Sequence, residues 1–463
     1  MTVEENKKKG KNAGFIFISV LASLYAAFYN GFPLVYTDTG TYLRSGFEGE
    51  IPIDRPIFYG LFLRHISLSE SLWLVVFVQA LITCWLLHLI SGILFSGLRR
   101  NIVFLVAVVF VTLTTGFSYN VSILIPDIFA TISFLAFVVM ILSKELNTVK
   151  WVLVSIIFVF SLSTHYSNIP IFILLFVIIL YWMWRSHRKG NIVISWRRMA
   201  LTSSLFVFTM IMIPTVNYSY NGKFRYSESS HVFLFNHMIE IGAAQQYLAD
   251  NCDEKNYAIC QYREELEWDF LWNYNSPLYK TGGWKKNEED FNEINNGIIT
   301  SPKYWPLLIH KTTEYTAKQL FLFETEIQQV KYDGTPCVEI EKYLKNSLRE
   351  VRGGKQVQGR HTVELLNSVE GAVVYLSTFF LLALLVLLRR IEIFSNQQKL
   401  LLKVTFAYAV INALVCANLS TAIPRYHNRF AWVLVIVSIY FLVQLYERRS
   451  ELFVSGGIKQ VDS

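Results

Sequence analysis

The sequence predicts an all-α polytopic membrane protein, and three observations carry that reading. Of the 463 residues, 53% are hydrophobic and only 17% are charged, with a mean hydropathy of +0.36, a balance that belongs to membrane proteins rather than soluble enzymes. The apolar residues gather in about ten runs, most of them near the roughly 20 residues that a helix needs to cross a bilayer. Lys and Arg cluster in every second connection between those runs, the asymmetry expected when positive loops stay on the cytoplasmic side.

Taken in order, the runs are at about 14–35, 71–95, 101–118, 121–143, 151–164, 168–184, 199–217, 369–388, 400–417 and 430–446. The first has no small-residue cleavage site and reads as a retained signal-anchor helix. The fifth is short and must borrow from its flanks. Lys7, Lys8, Lys9 and Lys11 precede the first run, and Arg99 and Arg100 follow the second. Lys144 and Lys150 separate the fourth from the fifth; Arg185, Arg188, Lys189, Arg197 and Arg198 separate the sixth from the seventh. Arg389, Arg390 and Lys399 lie between the eighth and ninth, and Arg448 and Arg449 follow the last. This pattern puts both termini in the cytoplasm. The chain then divides into an N-terminal membrane module (1–218, about seven spans, with a first outer loop at 36–70), an extracytoplasmic domain (219–368) and a C-terminal membrane module (369–463, about three spans). The net charge of +7 is accounted for by this topology, so no nucleic-acid partner is implied.

The outer domain reads as mainly helical and holds Cys252, Cys260 and Cys337. An oxidising compartment permits disulfides, and Cys252–Cys260 is the pair expected, leaving Cys337 over; three unpaired small residues are the alternative. Cys84 and Cys416 lie in apolar runs and read as packing. The aromatic run from Trp268 to Trp284 reads as core or interface packing, with stacking on a sugar face as the other option. No Cys/His spacing suits a metal, and there is no Gly-rich phosphate loop, nucleophile elbow or zinc-protease pair. The cytosolic parts are too short for a nucleotide-binding domain.

The stretch Val35–Ser67 is unusual for a plain connector. Asp38 stands where the first run ends, with Tyr42 four residues on; Asp54, Arg55 and Pro56 then open a short amphipathic run in which Ile57, Phe58, Leu61 and Phe62 share a helical face. Asp54 and Arg55 read as a pair or cap at the start of that run. Asp127, in Ile-Pro-Asp-Ile, lies at the outer end of the fourth run. Ionisable groups at such depth are costly unless they face a cavity or a partner, so Asp38 and Asp127 are candidates for a general base and a substrate or metal ligand; helix capping is the alternative for both. His165 ends the fifth run on the same side, where it can hydrogen-bond a phosphate, shuttle a proton or sit satisfied at the interface. Arg425, Tyr426, His427 and Arg429 occupy the last outer connection. Arg is the preferred planar partner of phosphate; snorkelling to the interface is the alternative and suits Arg429 better than Arg425.

These residues resemble the GT-C superfamily of integral-membrane glycosyltransferases, in particular the protein O-mannosyltransferases and the lipid A aminoarabinose transferases. Asp38 with Tyr42 matches the acid that follows the first span in that family, and Arg55-Pro56-Ile57-Phe58-Tyr59 loosely matches the start of its second membrane-parallel loop helix. Asp127 looks like the second-loop acid, Arg425-Tyr426 like the pair before a late span, and His165 stands where relatives place a basic residue. The sequence departs from the family in having Thr37 and Thr39 beside Asp38, so a metal-binding Asp-x-Asp is absent, and in having a single Pro at the second helix. The resemblance covers the membrane part, above all 14–185, and not 219–368. It implies inverting transfer of a sugar from a polyprenyl-phosphate donor to a glycan, protein or lipid acceptor at an extracytoplasmic membrane face. Asp38 would be the base; Asp127, His165, Arg425, Tyr42 and His427 would bind substrate. A divalent cation is compatible with this scheme but not required by it. A bacterial inner membrane, with 219–368 in the periplasm, is the implied location. A transporter or flippase for a lipid-linked or anionic solute would use the same charges near the bilayer midplane, and a non-catalytic assembly protein would keep the fold alone.

Overall fold

The structure is a computed structural model that describes residues 3–144, 146–188, 193–267, 269–387 and 393–449. Trp268, Lys189, Arg389 and Arg390, used in the sequence reading, lie outside the described residues. Among those residues the chain is all-helical, with no strand; the one β-type contact is an isolated parallel bridge between Leu34 and Ile123.

The N-terminal half holds α1 (Val3–Ser23), α2 (Thr37–Glu48), α3 (Phe58–Ser67), α4 (Trp73–Ser91), α5 (Gly97–Thr114), α6 (Asp127–Leu142), α7 (Thr148–Ser163), α8 (Asn168–Arg188) and α9 (Trp196–Asn221). The larger helices beyond it are α10 (Ser230–Glu240), α11 (Glu288–Thr300), α12 (Trp305–Phe321), α13 (Glu364–Leu387), α14 (Asn396–Leu419) and α15 (Pro424–Glu447). Seven of these are long and apolar enough to cross a membrane: α4, α5, α8, α9, α13, α14 and α15. Their outer faces, and that of α7, carry bare apolar side chains, such as Leu113, Ile156, Val177, Ile211, Leu376 and Val386, the last 77% exposed. So much apolar surface is stable only against lipid or a partner. The chain is an integral membrane protein of helical class.

Two predicted runs are broken. The run at 14–35 becomes α1 and a short helix, Tyr25–Asn30, stopped at Gly31 with φ +84°; the left-handed turn costs glycine little. The run at 121–143 becomes a short helix, Phe117–Ser122, then non-helical residues from Ile123 to Pro126, then α6. The two interruptions meet. Leu34 N–H donates to Ser122 O at 2.9 Å, and Leu124 N–H donates back to Leu34 O at 2.9 Å. Backbone groups that left helices prematurely thus satisfy each other.

All sixteen residues of α6 are buried, and most of α15 lies beside it in the same core. Because α6 is wrapped by protein, its length of about 24 Å at 1.5 Å per residue need not match the bilayer. At the edge of this core, which takes in Tyr42, Leu43, Tyr59 and Leu63, α2 and α3 cross at two glycines: a Cβ on Gly46 would lie 2.0 Å from the Gly60 carbonyl oxygen.

Residues 219–368 divide between two cores. Val232 to Tyr304 build a separate small core around Phe235, Phe270 and Phe291, and Cys252 is bridged to Cys260 at its edge. Phe323 to Val357 instead join the core of the bundle, with Cys337 buried and free. Within that second part, the helix Thr335–Tyr343 packs along α2, where Arg44 Nε donates to Glu339 Oε1 at 2.9 Å.

Candidate functional site

Three local devices bring distant residues together at the end of the bundle covered by residues 219–368. The 34/123 bridge is the first, and Thr39 Oγ1 adds a bond to Leu124 O at 3.0 Å, so the start of α2 is fixed beside the start of α6. Gln356 is the second: its amide donates to Val35 O at 2.6 Å and accepts from Val35 N–H at 3.0 Å. The third is Gln319 on α12, whose amide donates to Ile423 O at 2.8 Å and accepts from Ile423 N–H at 3.0 Å, setting the first turn of α15. Asp38, Asp127 and Arg425 then stand in the first turns of α2, α6 and α15. Thr39, rather than Asp38, closes the start of α2, accepting from Tyr36 N–H at 2.9 Å.

The result is an alternating chain of six charges. Asp54 Oδ2 meets Arg55 Nη2 at 2.5 Å, and Arg55 Nη1 lies 3.2 Å from Asp38 Oδ1. Asp38 Oδ2 is 3.4 Å from Arg425 Nη1, and Arg425 Nε is 3.8 Å from Asp127 Oδ2. Asp127 Oδ1 is 3.5 Å from Arg429 Nη1. Arg429 is fully buried and also donates through Nη2 to Asn412 Oδ1 at 2.8 Å and to Cys416 Sγ at 3.1 Å. The ladder is net neutral, as burial demands. It is not saturated in hydrogen bonds: Arg55 Nη1, Arg425 Nε, and Arg429 Nε and Nη1 are buried without one, against the single ladder acceptor Asp127 Oδ1. Donors are in excess.

Asp38, Tyr42, Asp127, His165 and Arg425 all line one cavity of about 390 Å³. Its far wall comes from the small outer core and its approach, with Tyr226, Ser227, Ser229, Phe233 and Trp272. Beside the cavity, an apolar groove of about 520 Å³ runs down between α7 and α9, lined by Trp151, Ile156, Phe160, Leu205 and Phe208. Phe58 and Ser163 at the top of this groove are chain neighbours of Ile57 and Thr164, one step from the cavity residues Pro56 and His165.

Burial alone would raise the pKa of the Asp38 carboxyl, but Arg55 and Arg425 outweigh it and hold the group below its usual range. His165 is pushed down to about 3, by burial first and then by the positive charge of Arg429. Ser167 N–H donates to His165 Nδ1 at 3.2 Å, which assigns the proton of the neutral ring to Nε2. His165 is therefore a neutral hydrogen-bond donor, not a cation.

Sequence reasoning misplaced His427. It is 2% exposed and packs near Phe323, away from the cavity; at two residues from Arg425 on a helix, it points to the opposite side. Arg429 does not snorkel, because it lies in the ladder. Arg55 does more than pair with Asp54, since it bridges Asp54 to Asp38 and covers the Tyr42 ring at 5.0 Å. Tyr36, unmentioned by the sequence reading, lies under the Arg425 guanidinium at 4.8 Å. The i, i+4 spacing of Arg425 and Arg429 was the signal available for the second arginine. Trp272, from the aromatic run, reaches the cavity wall. Among the described residues no three His, Cys, Asp or Glu side chains gather as a metal-ligand set.

The fold and site define a helical membrane protein with a buried arginine–aspartate ladder opening on a cavity. No protein-family model, no curated protein and no solved structure matches the chain.

Proposed function

We propose that this protein is a GT-C-type membrane glycosyltransferase that moves a sugar from a polyprenyl-phosphate donor to an acceptor hydroxyl. The observation that carries the proposal is the donor-rich, charge-neutral ladder on a cavity that adjoins a lipid-facing groove. A polyprenyl phosphosugar has one negative phosphate, an isoprenoid chain and a polar sugar; ladder, groove and cavity offer a counterpart to each.

In this reading the phosphate exchanges partners with the ladder. Its oxygens take up the unused guanidinium donors and displace Asp38 from Arg425, because Asp38 is the more accessible of the two acids, 28% against 4% for its side chain. Losing a cationic neighbour raises the proton affinity of Asp38, which turns a weak base into a useful one. Asp38 removes the acceptor hydroxyl proton as that oxygen attacks the anomeric carbon. The bond from that carbon to the phosphate oxygen breaks, and its electron pair leaves with the polyprenyl phosphate. Arg425, Arg429 and the Nε2–H of His165 stabilise the growing charge on the leaving group. Asp127 stays buried between two arginines and orients them. The displacement is single and inverting. Both carboxylates already face guanidinium groups, so a divalent cation is not needed.

The topology belongs to the same proposal: α1, α6 and α7 complete ten crossings with the seven longer helices. Contacts from Arg198 to Ser143 O, Gln444 to Leu94 O, and Arg100 to His88 O gather the basic connections at one end of the bundle. That end would be cytoplasmic, and the cavity periplasmic in a bacterial inner membrane. The test is transfer of labelled sugar from a panel of polyprenyl-phosphate sugars in membranes holding the wild type or Asp38→Asn. Loss of transfer at unchanged protein level is expected; retained transfer in Asp38→Asn removes the mechanism.

A further inference from the structure

A second cavity, of about 260 Å³, lies at the other end of α8 and α14, lined by Arg185, Lys399, Lys403, Trp182 and Trp196. The same two helices reach the ladder cavity through Pro170 on α8 and Cys416 and Leu419 on α14. From Asn396, which lines the second cavity, to Leu419 is about 35 Å along the helix at 1.5 Å per residue, close to the thickness of a bilayer hydrocarbon core. The two cavities therefore lie at opposite membrane surfaces.

Among its described residues the lining is chemically one-sided. No carboxylate occurs among its described residues, and neither Arg185 nor Lys399 has an ion-pair partner among the described residues; Arg185 Nη1 only donates to Tyr181 OH at 3.3 Å. Lys399 and Lys403 are one helical turn apart on one face of α14, and Arg185 meets them from α8. The start of α14, capped by Ser395 with Gln398, turns its positive dipole end towards the same side. Trp182 and Trp196 have the amphipathic rings favoured at the headgroup level. Simple interfacial bias would scatter cations over the surface; here three converge on a recess from two helices.

We propose that this recess is a binding site for a phosphate group, supplied by an anionic phospholipid of the leaflet on that side. Basic pockets between membrane helices suit such headgroups. The phosphate would sit between Lys399 and Arg185, with the acyl chains along the bare apolar face of α8, where Val177 and Leu180 are exposed.

The test is native mass spectrometry of the full chain in detergent, titrated separately with phosphatidylglycerol, phosphatidylcholine and inorganic phosphate. Wild type is expected to bind phosphatidylglycerol in preference to phosphatidylcholine. Lys399→Ala should weaken that binding about fivefold and Lys399→Glu about thirtyfold, at about 1 kcal/mol per charge step. Lys144→Glu, an exposed charge at the same end outside the recess, should leave it unchanged, and a melting curve in phosphatidylcholine checks that each variant is folded. Inorganic phosphate binding that is lost in Lys399→Glu, without phosphatidylglycerol preference, supports the phosphate site but overturns the lipid source. Equal binding of both lipids with no inorganic phosphate binding that depends on Lys399, or equal losses in Lys144→Glu and Lys399→Glu, overturns the site.

Discussion

Two sites at opposite ends of the helix bundle handle arginine and lysine in opposite ways. At the covered end, Arg55, Arg425 and Arg429 are drawn inside and each faces a carboxylate, so the whole row is neutral. At the other end, Arg185 and Lys399 border a recess with no described carboxylate. The difference follows from dielectric. A cation buried without a partner costs several kcal/mol, whereas one at the interface keeps its water and its stem finds apolar cover. A neutral buried ladder can exchange one anion for another without leaving a charge stranded. A surface recess bordered by Arg185 and Lys399 can only collect an anion. We read the first as the place for chemistry and the second as a place for attachment.

The strongest way to break this contrast is to remove the base. Asp38→Asn should lower sugar transfer by about 10²–10⁴-fold, the usual contribution of a general base. The variant also leaves the ladder with one uncompensated positive charge, so its thermal stability should fall; transfer assays on equal amounts of folded protein separate the two effects. Arg425→Ala strands Asp127 with one partner fewer. It should abolish transfer and cost about 3–5 kcal/mol of stability, as expected for half of a buried pair; thermal unfolding in detergent measures the second effect. Gln319→Ala leaves the Ile423 amide unsatisfied at a part-buried position and its carbonyl with the Tyr426 N–H alone, for a cost of about 1–3 kcal/mol. It should also lower kcat, because the first turn of α15 loses its clamp.

The pH dependence sharpens the contrast further. The folded-state pKa of Asp38 is depressed, so its contribution to stability is present above the unfolded carboxylate pKa and is lost as pH falls through the lower folded value. The acid limb of kcat/KM, which reports the free enzyme, should therefore lie below the usual carboxylate range. The acid limb of kcat should lie higher, because bound phosphate has taken Arg425 from Asp38. His165 adds no limb near neutrality. The smallest expected effect is at the cavity wall: Trp272→Ala should raise KM for the donor or acceptor a few-fold and leave kcat nearly unchanged, read from initial rates.

Much of this was legible in the sequence, and the reasons for the rest are physical. Hydropathy located the long helices because lipid-facing residues must be apolar along their whole length. It could not show the breaks at Gly31 and Pro126, since the residues around them remain apolar while their backbones pair with each other. The grouping of Asp38, Asp127, His165 and Arg425 followed from topology, which needs only the side of the membrane. The membership of Arg55 and Arg429 did not, because a nearest-neighbour pairing (Asp54 with Arg55) and an interfacial position (Arg429) already gave each a sufficient explanation. His427 was misassigned by treating a stretch of helix as a loop, where every side chain could face the cavity. The split of 219–368 between two cores was hidden because both parts are helical and punctuated by the same Gly and Asn residues.

The central claim is that phosphate displaces Asp38 from Arg425. Binding of polyprenyl phosphate, the leaving group without its sugar, tests it most directly when measured on wild type, Asp38→Asn and Arg425→Ala. The account predicts tighter binding to Asp38→Asn than to wild type, because a competing anion has been removed, and weaker binding to Arg425→Ala. Binding that weakens in Asp38→Asn as much as in Arg425→Ala would contradict it.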